Sequence, residues 1–489
     1  MKLKDPRLFL EKVLIGGTWQ GASSGGEVVV DNPATGEAIG VVPKCGTEET
    51  ESAIAAAKGA FPRWRQLPAE QRGRLLRRWH DLVLENLDDL ALLMTMEQGK
   101  PLPEARAEVL YAASFLEWYG EEARRVYGST IPAPSSDRRI VLLKEPIGVA
   151  AVITPWNFPA AMMARKCAPA LAAGCTVVVK PSELTPYSAL ALGALAERAG
   201  IPAGVINIVT GNAEAIGDAL AGSPDVGKIS FTGSTRVGSM LMAKCASTVK
   251  RVSLELGGNA PFIVFEDANL DVAVEAALAS KFRNAGQTCV CANRILVQDS
   301  IYDELAARLA TRVASLKLGP GTNAGVDIGP LISIAAAERA RAHIADALRK
   351  GAINLTPREN IPEGGRYVAP TVLTDATTDM RVADEEIFGP VAPLFRYSSE
   401  AEAIAIANGT PYGLAAYFFT ENVGRAWRMG EALEFGMVGL NTGAISMAAA
   451  PFGGMKRSGI GREGGQVGID EYLEIKTFHL SGIGASDAA

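Results

Sequence analysis

The sequence predicts an α/β protein of two α/β domains in succession, with some strand material left over. Three observations carry this. At 489 residues, a prior of roughly 150 residues per domain gives two to four domains. From residue 147 onward, short apolar runs alternate with helical stretches, the pattern of a mostly parallel sheet covered on both faces. Near Ala268 the alternation begins afresh.

Taken in order, residues 47–126 read as helical. Thr47 followed by Glu48 and Glu49 looks like an N-cap with acidic residues at the positive end of the dipole. Leu75, Leu76, Trp79, Leu82 and Val83 recur at helical spacing, and Gly99 with Pro101 closes that segment. Strand-like runs follow at 147–153, 176–179, 205–209, 228–231, 252–256 and 262–265, with helical stretches at 188–199 and 235–245 between them. The second series has helix 271–282, a loop, strand 294–297 and helix 301–316. The Gly- and Pro-rich stretch 318–330 reads as a surface connection.

Composition excludes several function classes. Hydrophobic residues make up 48% and charged ones 21%, which argues against disorder. With 48 Lys and Arg against 54 Asp and Glu, a net charge of −6 gives no footprint for nucleic acid or an anionic membrane. The start MKLKDPRLFLEKVLIGGTWQ breaks its apolar stretches with charge, so no signal peptide is expected. The best membrane candidate, 146–164, is interrupted by Pro155, Asn157 and Pro159, and no span is expected. Six cysteines, four of them scattered singly, do not look like a secreted disulfide framework, which leaves the cytoplasm as the expected compartment. His80, His343 and His479 are isolated and offer no zinc-ligand spacing, so no metal is expected.

Five segments can carry chemistry. In KFRNAGQTCVCAN (281–293), two cysteines follow a helix in a loop opened by Gly286. Such a position suits a partly exposed thiolate, although free cysteines are also commonly small buried hydrophobes. In RVSLELGGNA (251–260), Glu255 lies in an apolar strand before a Gly-Gly turn. Desolvation there would raise it toward a general base, while strand alternation equally permits a solvent-facing carboxylate. In TPWNFP (154–159), an Asn held between prolines could donate to an oxyanion or simply support a turn. In KISFTGSTRVG (228–238), a strand runs into Gly233-Ser234 and then a helix, a place for a pyrophosphate. Upstream, the strand 176–179 ends in Lys180-Pro-Ser-Glu183, where a ribose diol would be read. The literal GxGxxG at 459–464 has no strand before it and no long helix after it, and no P-loop is present.

TPWNFP, VVVKPSE, FTGST, LELGG, GQTC, EEIFGP and PFGGMKRSG, in this order, resemble the aldehyde dehydrogenase superfamily, and the likeness runs from DNPATG (31–36) to the tail. The resemblance implies a Rossmann-like NAD-binding domain (1–127 and 147–257), an α/β catalytic domain (258–455) and a small β oligomerisation arm (128–146 and 456–489). It implies a homodimer or homotetramer acting on a small semialdehyde. By motif match, Cys289 is the nucleophile, Glu255 the base and Asn157 the oxyanion donor. Trp156, Lys180, Glu183, Gly233, Ser234, Leu256, Glu386 and Phe388 would line the dinucleotide site. AAMMARK (160–166), the 281–294 segment and GLAAY (413–417) are similar to the succinate-semialdehyde branch. There Arg165, Arg283 and Ser446 match the positions that hold the substrate's far carboxylate, with glutarate and 2-oxoglutarate semialdehydes as alternatives. A carboxylate at Glu183 favours NAD over NADP, since it would repel a 2′-phosphate. Cys291 invites a Cys289–Cys291 disulfide as a redox switch, which would need loop movement. CoA-acylating relatives tend to lack the general-base glutamate, so Glu255 speaks against that chemistry, and the standing of Cys289, Glu255 and Asn157 disfavours a non-catalytic structural role.

Overall fold

The computed structural model describes residues 2–483. The last six positions of the expected arm, 484–489, lie outside the described residues. Two open sheets organise the chain. The first has eight strands, ordered Thr18–Gln20, Val13–Ile15, Ile206–Ile208, Thr176–Lys180, Val149–Ile153, Val226–Thr232, Arg251–Glu255 and Gly459–Ile460. Its five middle strands are parallel. Along such strands successive side chains serve opposite faces. Val177 and Val179 join one buried cluster and Val178 the other.

The second sheet runs Ile353–Asn354, Thr371–Thr374, Val391–Tyr397, Ala292–Gln298, Ala260–Val264, Ala415–Phe419 and Met437–Leu440, parallel except at its first pair. Phe262 and Val264 bury on one face and Ile263 on the other. Residues 256–259 connect the two sheets directly, so the carboxyl end of the strand at Glu255 leads into the amino end of the strand at Ala260.

A third, three-stranded antiparallel sheet pairs Leu473–Leu480 with Arg139–Pro146, and that strand with Ser129–Ile131. The helical region of the sequence resolves into Thr47–Gln66, Ala69–Glu85, Leu87–Gln98 and Leu102–Glu122. Leu76, Trp79 and Val83 face the core, as their spacing predicts. Gly99 closes its helix with φ 93°, a left-handed turn that favours glycine.

Two expectations need adjustment. The first helix is capped at Gly46 rather than Thr47, because the Glu49 side chain reaches back to accept from the Gly46 N–H at 2.8 Å. The stretch 456–472, expected in the arm, lies outside the arm sheet: Lys456 pairs with Tyr412. Gly459–Ile460 extends the first sheet beside Leu254 and Glu255, and the chain enters the arm sheet only at Leu473.

Candidate active site

In the first sheet the strand order reverses beside Val149–Ile153: one branch proceeds through Thr176–Lys180, the other through Val226–Thr232. Open α/β sheets bind ligands outside the carboxyl ends of strands at such a point. Asn157 follows the strand Val149–Ile153, and Gly233-Ser234 follows the strand Val226–Thr232. A cavity of about 240 Å³ opens there, between the two sheets. Its walls bring together Trp156, Asn157, Gly233, Ser234, Leu256, Cys289, Glu386 and Phe388 from the sequence reading.

Cys289 is half-buried, while the other five cysteines are buried and all six are free. Its loop is held by unusual backbone: Asn284, Ala285 and Gly286 have φ of 52°, 54° and 74° in succession. A side chain at Gly286 would strike the Gly389 carbonyl, so the Cys289 loop packs directly on the loop carrying Glu386 and Phe388. Burial pushes the Cys289 thiol up to about 12, with Arg165 pulling down and Glu255 and Glu386 pushing up.

The Asn157 amide donates to the Gln287 carbonyl at 2.9 Å, which ties it to the cysteine loop. An amide carries two N–H donors, so one remains for a developing oxyanion. The Asn157 carbonyl accepts from Lys100 Nζ at 2.8 Å and from Asn284 Nδ2 at 3.0 Å. Lys100 in turn forms a fully buried ion pair with Glu108.

Glu255 points inward. It is 2% exposed, and its Oε2 has no hydrogen-bond partner among the described residues. Burial, then the charge of Glu463, raises it well above the usual carboxylate range against the pull of Arg165, Lys166 and Arg462. Glu463 behaves oppositely: burial alone would raise it, but Lys166 and Arg165 hold it low. Lys166 bonds to Glu463, and Arg165 Nε lies 2.6 Å from it, close but poorly aligned for a hydrogen bond.

Glu386 accepts from the Gly258 N–H at 3.0 Å, and burial raises it to about 7. Phe388 meets Trp156 edge to face with centroids 5.6 Å apart. Lys180 and Glu183, outside the cavity wall, form an ion pair at 2.8 Å at the carboxyl end of the strand Thr176–Lys180. Ser234 caps the helix Thr235–Cys245 through its side chain. The buried hydroxyls of Thr232 and Thr235 have no partner among the described residues. Unsatisfied hydroxyls at the opening of a helix fit a pyrophosphate, so these residues suit a dinucleotide.

The expected carboxylate-holding set is split. Arg165 is 1% exposed, committed to Glu463 and stacked on Phe452 at 4.1 Å. Arg283 is exposed, with no ion pair among the described residues, and lies 5.4 Å over Phe158, a cavity-wall residue. Ser446 is half-buried and lies outside the cavity wall. Cys291 is buried, and its thiol donates to the Lys281 carbonyl at 3.4 Å. Sequence reading missed Lys100, Glu108, Gln287 and Glu463, and nothing in their neighbourhoods marks a charged or amide group as buried. Among the described residues no cluster of His, Cys, Asp and Glu could hold a metal, and no helix is long and apolar enough to cross a membrane.

The family model for the aldehyde dehydrogenase family matches residues 19–478. Succinate-semialdehyde dehydrogenase [NADP(+)] of Escherichia coli is 57% identical over 97% of this chain and 99% of its own. Glutarate-semialdehyde dehydrogenase of Pseudomonas aeruginosa is also 57% identical, over 99% and 100%. The crystal structure of succinate-semialdehyde dehydrogenase from Burkholderia pseudomallei superposes with a TM-score of 0.97 at 56% identity, covering 98% of this chain and 100% of that one. The chain belongs to the aldehyde dehydrogenase family.

Proposed function

We propose that this enzyme oxidises succinate semialdehyde to succinate, with Cys289 as nucleophile, Asn157 as oxyanion donor and Glu255 as base. The observation that carries the substrate assignment is Arg283, an uncommitted guanidinium over the wall of the cavity that holds Cys289. A guanidinium fork binds a carboxylate through two parallel hydrogen bonds. Arg165, already shared with Glu463, and Ser446, outside the cavity wall, are the other two positions that the family resemblance offers for that end. The relatives named for four- and five-carbon semialdehydes agree with a small aldehyde bearing a distant carboxylate. Glutarate semialdehyde is the second reading for that reason.

In this mechanism the Cys289 thiolate, which burial opposes and the Arg165 charge favours, adds to the aldehyde carbon. The alkoxide is held by the Asn157 amide and the Cys289 backbone N–H. When bound, the dinucleotide supplies the hydride acceptor, leaving an acyl group on Cys289. Glu255, buried beside the site with one oxygen unpartnered, takes a proton from the water that hydrolyses the thioester. Lys180 and Glu183 would hold the adenosine ribose, Gly233, Ser234 and Leu256 the pyrophosphate side, and Glu386, Phe388 and Trp156 the nicotinamide end. Glu183 supports NAD as the preferred cofactor, in contrast to the NADP(+) in the name of the E. coli relative.

The arm sheet leaves Ile475 and Phe478 exposed at 66% and 50%, which supports a dimer or tetramer through that sheet. Six free cysteines support the cytoplasm as the compartment. With the Cys291 thiol engaged by Lys281, a Cys289–Cys291 disulfide would require the loop to rearrange first.

The test is kcat/KM for the four- and five-carbon semialdehydes and for a neutral aldehyde of equal length, with NAD and with NADP. The four-carbon semialdehyde with NAD is expected to be the best pair. Equal efficiency for the neutral aldehyde would overturn the substrate assignment.

A further inference from the structure

We propose that Lys100, Glu104 and Glu108 form a positioning clamp that fixes the spacing between Cys289 and Asn157. The inference rests on the roles of those two residues given above and asks what holds them apart at the right distance. Glu104 and Glu108 lie one turn apart on the helix Leu102–Glu122, so they share a face. Lys100 lies one further interval back, before the helix begins.

Each of the three holds one catalytic loop. Glu108 accepts from the backbone N–H groups of Ala160 and Ala161 at 3.0 and 3.2 Å, the opening turn of the helix just past Asn157. Its other oxygen pairs with Lys100, whose ammonium also donates to the Asn157 carbonyl at 2.8 Å. Glu104 accepts from the Asn284 N–H at 2.8 Å, five residues before Cys289. Asn284 and Ala285 stand in left-handed conformations that non-glycine residues rarely adopt, so the loop needs an external partner to stay there. The Asn284 side chain then closes the ring by donating to the Asn157 carbonyl.

One rigid helical turn therefore measures the gap between the nucleophile loop and the oxyanion-donor loop. None of the three side chains belongs to the cavity wall, so their action is through backbone placement. Burial raises Glu104 to about 7, and a carboxyl group keeps an acceptor oxygen in either charge state, so the hold on Asn284 rests on that oxygen's placement.

The test is the pre-steady-state burst of reduced cofactor when the full chain meets saturating semialdehyde and NAD. In Glu104→Ala the burst rate should fall about 10- to 100-fold, the effect of a misplacement on the order of 1 Å. KM for NAD and the melting temperature should stay at native values. Glu104→Gln, which keeps an acceptor oxygen, should recover to within about threefold of native. Lys100→Met/Glu108→Leu replaces the buried pair with apolar groups of similar size, an exchange that buried ion pairs often tolerate, and should show the same loss. A Glu104→Ala burst within twofold of native, or Glu104→Gln no better than Glu104→Ala, would overturn the clamp. A Cys289→Ser variant that keeps its burst would instead overturn the active-site reading beneath it.

Discussion

At the reacting end of the cavity, Cys289 and Asn157 sit in loops tied to each other and to a buried ion pair. Around its wall, Arg283 is exposed over Phe158 without an ion pair, and Ser446, outside that wall, makes no side-chain hydrogen bond, among the described residues. The first region is over-determined and the second is left open. Acyl chemistry needs its groups placed to a fraction of an ångström, and several hydrogen bonds per loop deliver that. Reading a distant carboxylate needs only a cation at about the right depth. A fold built this way can keep one reaction while substrate length changes, and two relatives at 57% identity are named for semialdehydes of different length.

The largest expected effect tests the closed end. Burial pushes the Cys289 thiol up to about 12, so in the cofactor-free chain it is protonated at neutral pH. Below its pKa, the thiolate fraction rises about tenfold per pH unit. Iodoacetamide modification of Cys289, followed by mass spectrometry, should therefore quicken about 100-fold between pH 7 and pH 9. A rate that levels off before pH 9 would show the thiol to be far better solvated than its burial implies.

The open end is sharpened by Arg283→Ala. Hydrogen bonds to a charged partner contribute about 1.5–3 kcal/mol, so kcat/KM for the four-carbon semialdehyde should fall about 10- to 100-fold. A neutral aldehyde of equal length should be unaffected. If both fall together, Arg283 supports the cysteine loop rather than the substrate, and the contrast between the two ends disappears.

The closed end was also the harder one to read from sequence. Apolar periodicity placed the strands around Ile153, Thr232 and Glu255 within a few residues, because their side chains are buried on both faces. The motifs at those strand ends therefore fell on one crevice. Lys100, Glu104, Glu108 and Glu463 were invisible by the same logic. A charge in a helix or a loop reads as solvated, and only its partner, 8 residues away for Lys100 and Glu108 or 297 for Lys166 and Glu463, shows that it is buried. The pairing of Gly459–Ile460 with the first sheet was hidden because two residues are too short to display a strand period.

The smallest effect concerns the rim, where Lys180 and Glu183 are neither locked like Asn157 nor unpaired like Arg283. Burial pushes Glu183 up, but the Lys180 charge and hydrogen bond prevail and hold it low, so it is ionised at pH 7. An ionised carboxylate accepts from a ribose 2′-OH and repels a 2′-phosphate. Glu183→Ser removes the repulsion and frees the Lys180 ammonium for the phosphate. The kcat/KM ratio of NADP to NAD should rise about tenfold, the equivalent of ~1.4 kcal/mol, with kcat at saturating cofactor nearly constant because the reacting end is untouched. An unchanged ratio would mean that discrimination lies elsewhere along the crevice. A native chain that already prefers NADP would mean that Lys180 outweighs its partner even while bound to it.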